Sequence, residues 1–240
     1  MPAVPVPTPI YLRPATELAE RVLLPGDPHR ALAVAQDLLE KPLMFNHARG
    51  LWGYTGTAPD GAPLTVQSTG MGGPSAAIVI EELIGLGAGT LVRIGTCGAL
   101  VAGLELGQLV AATEVLAADG ASAALGAGER LRPDPGLTGS LVDRGGARGV
   151  TAVSTDLFYD PREGIHAQWC ETGAEVIEME SATLLSVAGR RGVAGAAVLA
   201  VSDLLAEGGR QRLDTEALEA AGVALGRAGY AALADAPARR

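Results

Sequence analysis

Aromatic side chains are scarce in this sequence: two Trp, four Tyr and two Phe among 240 residues. Platforms that stack single-stranded nucleic acid need several exposed rings, so that class of function is disfavoured from the start. Positive charge is also short, with 18 Lys and Arg against 27 Asp and Glu, a net charge of −9. A broad nucleic-acid footprint is therefore not expected, although a local basic pocket for a small anion is compatible with that balance. Only two cysteines occur, Cys97 and Cys170. They form no CxxC pair and no disulfide framework, which points to a reducing cytosol. The three histidines, His29, His47 and His166, have no metal-ligand spacing, so no metal is expected. Apolar stretches are interrupted by Gly, Glu or Arg well before the ~20 residues of a membrane span. The Pro-rich start, 1–8, lacks the basic and apolar regions of a secretory signal, and 236–240 reads as a frayed tail.

What the chain does have is small apolar bulk. Hydrophobic residues make up 48% of it, enough for a buried core and too much for a disordered chain. Short β-branched runs alternate with helical stretches: strands over 21–25, 90–94, 109–115, 149–154, 175–177 and 195–202, and helices over 28–39, 179–190 and 215–234. The Pro59-Asp60-Gly61 turn joins a hairpin over 51–57 and 62–68. Gly72-Gly73-Pro74 opens a helix with Ala77, Ile80, Leu83 and Ile84 at helical spacing. The stretch 117–139 is poorly periodic and reads as a long excursion. No linker and no 20- to 50-residue period is visible. The expectation is one domain over 1–240, an α/β/α three-layer sandwich around a central mixed sheet.

In such folds chemistry gathers where strands hand over to loops at their C-terminal ends. Pro25-Gly26-Asp27-Pro28-His29-Arg30 offers a glycine, a helix N-terminus and an arginine, which suits an anion and equally suits a plain corner with a solvated Arg. Arg93 lies in an apolar strand, where a lone charge is costly. Its partner is either a carboxylate of the protein or an anionic ligand, and Gly95, Thr96 and Gly98 at the expected strand end suit a phosphate. Glu178 and Glu180 at the start of a helix suit macrodipole caps or a sugar diol. Asp203 closes a further apolar strand, the place of a general acid. Cys97 reads as a small core residue, with no basic partner near it in sequence. Gly70-Met71-Gly72-Gly73 is neither a P-loop nor a dinucleotide fingerprint.

Taken together and in order, GDPHR, Arg49-Gly50, STGMGGPS, RIGTCGAL, DLFY, EMES and VSD resemble the nucleoside phosphorylase family. Within it the chain is similar to the hexameric bacterial and archaeal purine nucleoside phosphorylases, with uridine phosphorylases as close relatives. The resemblance runs from about Tyr11 to the last helix. It implies that Gly26, Arg30, Arg93 and Thr96 hold phosphate, a co-substrate rather than a cofactor, and that Arg49 serves the site of a neighbouring subunit. It implies ribose at Met179 and Glu180, the base against Phe158 with Ile177 and Glu178 lining the same pocket, and Asp203 as the acid toward purine N7. The implied partner is a second copy of the chain, in a hexamer built as a trimer of dimers.

Two features depart from the family pattern. Tyr11 takes the place of a His that reaches the neighbour's 5′-hydroxyl. The stretch 204–209 is short, as in archaeal members that also accept 5′-methylthioadenosine, and leaves Arg210 and Arg212 as candidates for an arginine that assists the acid. Uridine phosphorylase is the nearest rival and a hydrolytic nucleosidase of the same fold the next. The segment between DLFY and EMES offers only Arg162 and Gln168 where the pyrimidine-reading insertion would be, and Asp203 favours purine.

Overall fold

A computed structural model describes residues 8–205 and 209–234. The expectations for 1–7, for the centre of the short 204–209 stretch and for the tail lie outside these residues.

The chain begins with β1 (Arg21–Leu24), α1 (Pro28–Leu38), β2 (Glu40–Asn46), β3 (Gly53–Thr57), β4 (Pro63–Gln67), α2 (Gly73–Gly85), β5 (Thr90–Ala99) and β6 (Leu109–Ala118). It continues with α3 (Gly120–Ala124), β7 (Arg130–Leu131), α4 (Pro135–Asp143), β8 (Arg148–Thr155), α5 (Ile165–Glu171), β9 (Val176–Glu178) and α6 (Ser181–Arg191). The last elements are β10 (Ala194–Leu204), β11 (Gln211–Arg212) and α7 (Thr215–Leu233). The expected α/β fold with a central mixed sheet is present. β1 runs parallel to β4 and β5, β5 parallel to β10, and β10 antiparallel to β6. Because β6 also pairs with β8, β8 with β9 and β9 with β5, this half of the sheet closes on itself.

Alternation explains how both faces are filled. In β10, Ala196, Val198 and Ala200 enter the core under α1, α4 and α7, while Ala197, Leu199 and Val201 enter the opposite one. In β1, Leu23 faces the first core, whereas Val22 and Leu24 meet α2 and α6. Strands covered on both sides read as continuous apolar runs, which is why they are visible in the sequence. Ala, Val and Leu fill the interior. Small residues let α7 approach closely: a Cβ on Gly226 would lie 2.6 Å from Val34, and one on Gly229 would lie 2.7 Å from Ile94.

Several expectations need correction. The excursion 117–139 contains α3, β7 and the start of α4, and both helices are N-capped by aspartates, Asp119 and Asp134. β5 does not end at Ile94 but runs on through Gly95, Thr96 and Gly98 to Ala99, so these residues are strand interior, not a handover. β10 likewise passes Ser202 and ends at Leu204.

Candidate active site

The first two motifs are laced together by backbone. The amide of Thr69 donates to Pro25 O at 2.9 Å and that of Gly70 to Gly26 O at 3.0 Å. A Cβ on Gly26 would stand 3.1 Å from the Gly70 carbonyl, a contact tight enough to push on that backbone. Asp27 caps α1 by accepting from the His29 amide at 2.7 Å, with Pro28 in the first helical turn. The His29 ring in turn lies 5.0 Å from that of Trp52. Arg30, in the same turn, donates to Ile94 O at 3.4 Å. Burial lowers its pKa, and the neighbouring Arg93 cation lowers it further. The Asp27 and Glu180 carboxylates act the other way, so negative groups of the protein already stand near this guanidinium.

Arg93 projects from β5 and is 6% exposed. Its Nε donates to Glu178 at 3.0 Å and its Nη2 pairs with Glu180. Burial works to lower its pKa, but the Glu180 and Glu178 carboxylates outweigh that and raise it. Of the two partners left open by the sequence, the protein's own carboxylates are engaged. Gly95 makes room for the arrangement: a Cβ there would sit 2.6 Å from Arg93 Nη2.

Alternation along β9 and the turn after it sorts the next residues. Glu178 and Glu180 are buried, whereas Ile177 and Met179 between and beside them are partly accessible. Glu178 takes Ser154 Oγ, the Arg93 guanidinium and the amides of Glu180 and Ser181, the latter two at about 3.0 Å. It caps α6 and has no exposed side-chain surface, so its carboxylate supports the site from below. Glu180 accepts the Gly72 amide at 2.6 Å, tying the STGMGG turn to Arg93. Burial holds its carboxyl above the usual carboxylate range despite the nearby Arg93 cation.

Asp203 emerges at a β-bulge. Val201 lies opposite Cys97 and Asp203 opposite Gly98, so Ser202 is the extra residue. Bulges re-aim side chains. The Asp203 carboxylate accepts Ser202 Oγ and Arg210 Nε, both at 2.7 Å, and Arg212 approaches to 3.5 Å from the paired strand β11. Arg210 also lies over the Phe158 ring at 4.5 Å. The sequence named both arginines without choosing between them, and the structure brings both to Asp203. It could not foresee Arg210 bridging the acid and the aromatic, because that contact joins two loops. Phe158 is half exposed and meets Tyr159 edge-on. Thr96 is partly accessible in β5. Arg162, by contrast, is paired with Asp160 and lies over Trp169.

Tyr11 and Arg49 stand together, the Arg49 guanidinium 5.4 Å above the Tyr11 ring centroid. Both are solvent-exposed, and Arg49 has φ +58°, an unusual value for a residue with a Cβ. Burial drives the Cys97 thiol pKa far up, consistent with a core role. Among the described residues no three His, Cys, Asp or Glu side chains gather to hold a metal. A surface cavity of about 320 Å³ between the end of α4 and α7 includes none of these side chains, and Arg227 in its wall is already paired with Asp37.

The family profile of the phosphorylase superfamily matches residues 20–234. The purine nucleoside phosphorylase DeoD-type of Alkaliphilus metalliredigens is 34% identical over 202 residues, covering 81% of this chain and 86% of that protein. The protein of the same name in Geobacillus kaustophilus is 34% identical over 200 residues, covering 80% and 84%. The one in a Jannaschia species reaches 36% over 197 residues, covering 79% and 84%. With its GDPHR and STGMGG turns, its Arg93–Glu180 pair and its bulged Asp203 all inside the matched span, the chain belongs to the phosphorylase superfamily.

Proposed function

We propose that the protein is a purine nucleoside phosphorylase. The observation that carries this reading is the meeting of Arg30, in the first turn of α1, and Arg93, inside β5, with Glu180. It unites positive charge for phosphate with a carboxylate for a sugar diol. The names of the relatives support the choice of purine.

In this reading phosphate lies between the Gly26 turn, Arg30, Arg93 and Thr96, and Arg49 of a neighbouring subunit completes the charge. Glu180 accepts the ribose 2′- and 3′-hydroxyls beside Met179. The base leans on Phe158 and Ile177, with Glu178 bracing Arg93 beneath. The C1′–N9 bond breaks as a phosphate oxygen bonds to C1′. Positive charge growing on the sugar is met by phosphate, and negative charge on the departing base by a proton given to N7 by Asp203, which enters the step as the carboxylic acid and leaves it as the carboxylate that Arg210 holds. Arg210, the nearer of the two arginines, assists Asp203. The products are free purine and ribose 1-phosphate, and no metal or organic cofactor takes part. We read the protein as cytosolic, in keeping with two free cysteines and with the lack, among the described residues, of a helix able to cross a membrane. We read its assembly as a homohexamer of three dimers that share sites.

The test is a panel of adenosine, inosine and uridine, each with and without phosphate. Phosphate-dependent cleavage of the purine nucleosides is the expected result. Cleavage of uridine alone would make it a uridine phosphorylase, and cleavage without phosphate would make it a hydrolase.

A further inference from the structure

Glu82 in α2 is buried, 5% exposed, and none of the roles above uses it. Its carboxylate receives three consecutive backbone amides: Ile10 at 3.0 Å, Tyr11 at 3.1 Å to both oxygens, and Leu12 at 2.6 Å. Successive N–H groups turned toward one anion form a nest, and here the anion is built into a neighbouring helix. The gripped segment precedes β1 and belongs to no strand or helix, so few ladder bonds are available to fix it. Asn46, fully buried at the end of β2, holds its other flank. Its Oδ1 accepts the Arg13 amide at 2.9 Å, and its Nδ2 donates to the carbonyls of Ala48 and Leu51. Those carbonyls bracket the turn that carries Arg49. One buried pair of side chains therefore sets both halves of the Tyr11–Arg49 contact.

We propose that Glu82 is a positioning residue for substrate recognition: by clamping residues 10–12 it fixes where the Tyr11 hydroxyl is presented and, through the Tyr11 ring, steadies the Arg49 guanidinium that Asn46 holds from the other side. The proposal rests on the reading of Tyr11 and Arg49 as groups offered to an adjoining site. The carboxylate is specifically suited, because both oxygens accept. A glutamine would turn an NH₂ toward an N–H donor and leave a buried donor unpaired.

The experiment compares kcat/KM for adenosine and 5′-deoxyadenosine at saturating phosphate in the full-length protein, with the KM for phosphate measured alongside. Glu82→Gln is expected to shrink the preference for adenosine by roughly 3- to 10-fold, the worth of about one hydrogen bond. The change should fall on KM, with the phosphate KM raised and kcat on 5′-deoxyadenosine kept. A merely structural role would lower both substrates alike. Tyr11→Phe is measured in parallel. If it leaves the preference intact, the reading of Tyr11 fails and the proposal with it. If it shrinks the preference and Glu82→Gln does not, the proposal alone is overturned. Should Glu82→Gln not fold, Ile10→Pro decides. It deletes one of the clamped amides at a residue that is 70% exposed, and an unchanged preference there would also overturn the proposal.

Discussion

Asp203 shows how much one inserted residue accomplishes. Without the bulge at Ser202, regular alternation would place 203 on the face of Val201, in the core. With it, the carboxylate reaches Arg210 beside Phe158. Leaving-group protonation is worth roughly 10²–10⁴-fold in rate. Asp203→Asn should keep the fold and lose much of that on adenosine. The loss should be smaller on 7-methylguanosine, whose N7 already carries positive charge, and equal losses would take the acid role from Asp203. Glu180 makes a second prediction. Its pKa is raised chiefly by burial, and only the ionised form accepts fully from two hydroxyls. Nucleoside kcat/KM should therefore rise with pH through a limb lying above the ordinary range near ~4.3. A pH profile checks this, and Glu180→Gln should remove the limb.

Among the elements, β5 carries the heaviest constraint. The sequence placed Gly95 at a strand end suited to phosphate, yet the reason for this glycine is tertiary: Arg93 lies across it and is pinned by two carboxylates, so it has little room to yield. Gly95→Ala should destabilise by about 1–3 kcal/mol, as overpacking does, and should raise the phosphate KM. Thermal melts and phosphate saturation curves measure the two effects. The same kind of reason marks the limits of reading the chain. β1 and β10 were visible because both faces are apolar, and the motifs Arg93, Glu180 and Asp203 because charge ends or interrupts such runs. β2 escaped because Lys41 and Pro42 sit on a strand at the end of the sheet, where a proline is tolerated. The seven residues of α5 escaped because they follow a Pro-Arg-Glu-Gly loop and bury little besides Trp169. The Glu82 clamp escaped because its partners are backbone amides 70 to 72 residues away.

For the molecule as a whole, the proposed service of Tyr11 and Arg49 to a neighbouring site means that one chain would not be a complete catalyst. Specific activity should fall along a dilution series as mass, followed by light scattering, drops to that of a monomer. A fully active monomer would refute site sharing. The scarcity of aromatic rings has a consequence of its own. The two indoles occupy distinct surroundings: Trp169 is buried with Arg162 over its ring, while Trp52 is partly exposed against His29 in the turn proposed to take phosphate. Replacing Trp169 by Phe leaves a single indole, excited apart from the four tyrosines, beside that turn. Its emission then offers a readout of the anion's arrival at the proposed site without any added label, in the protein's own light.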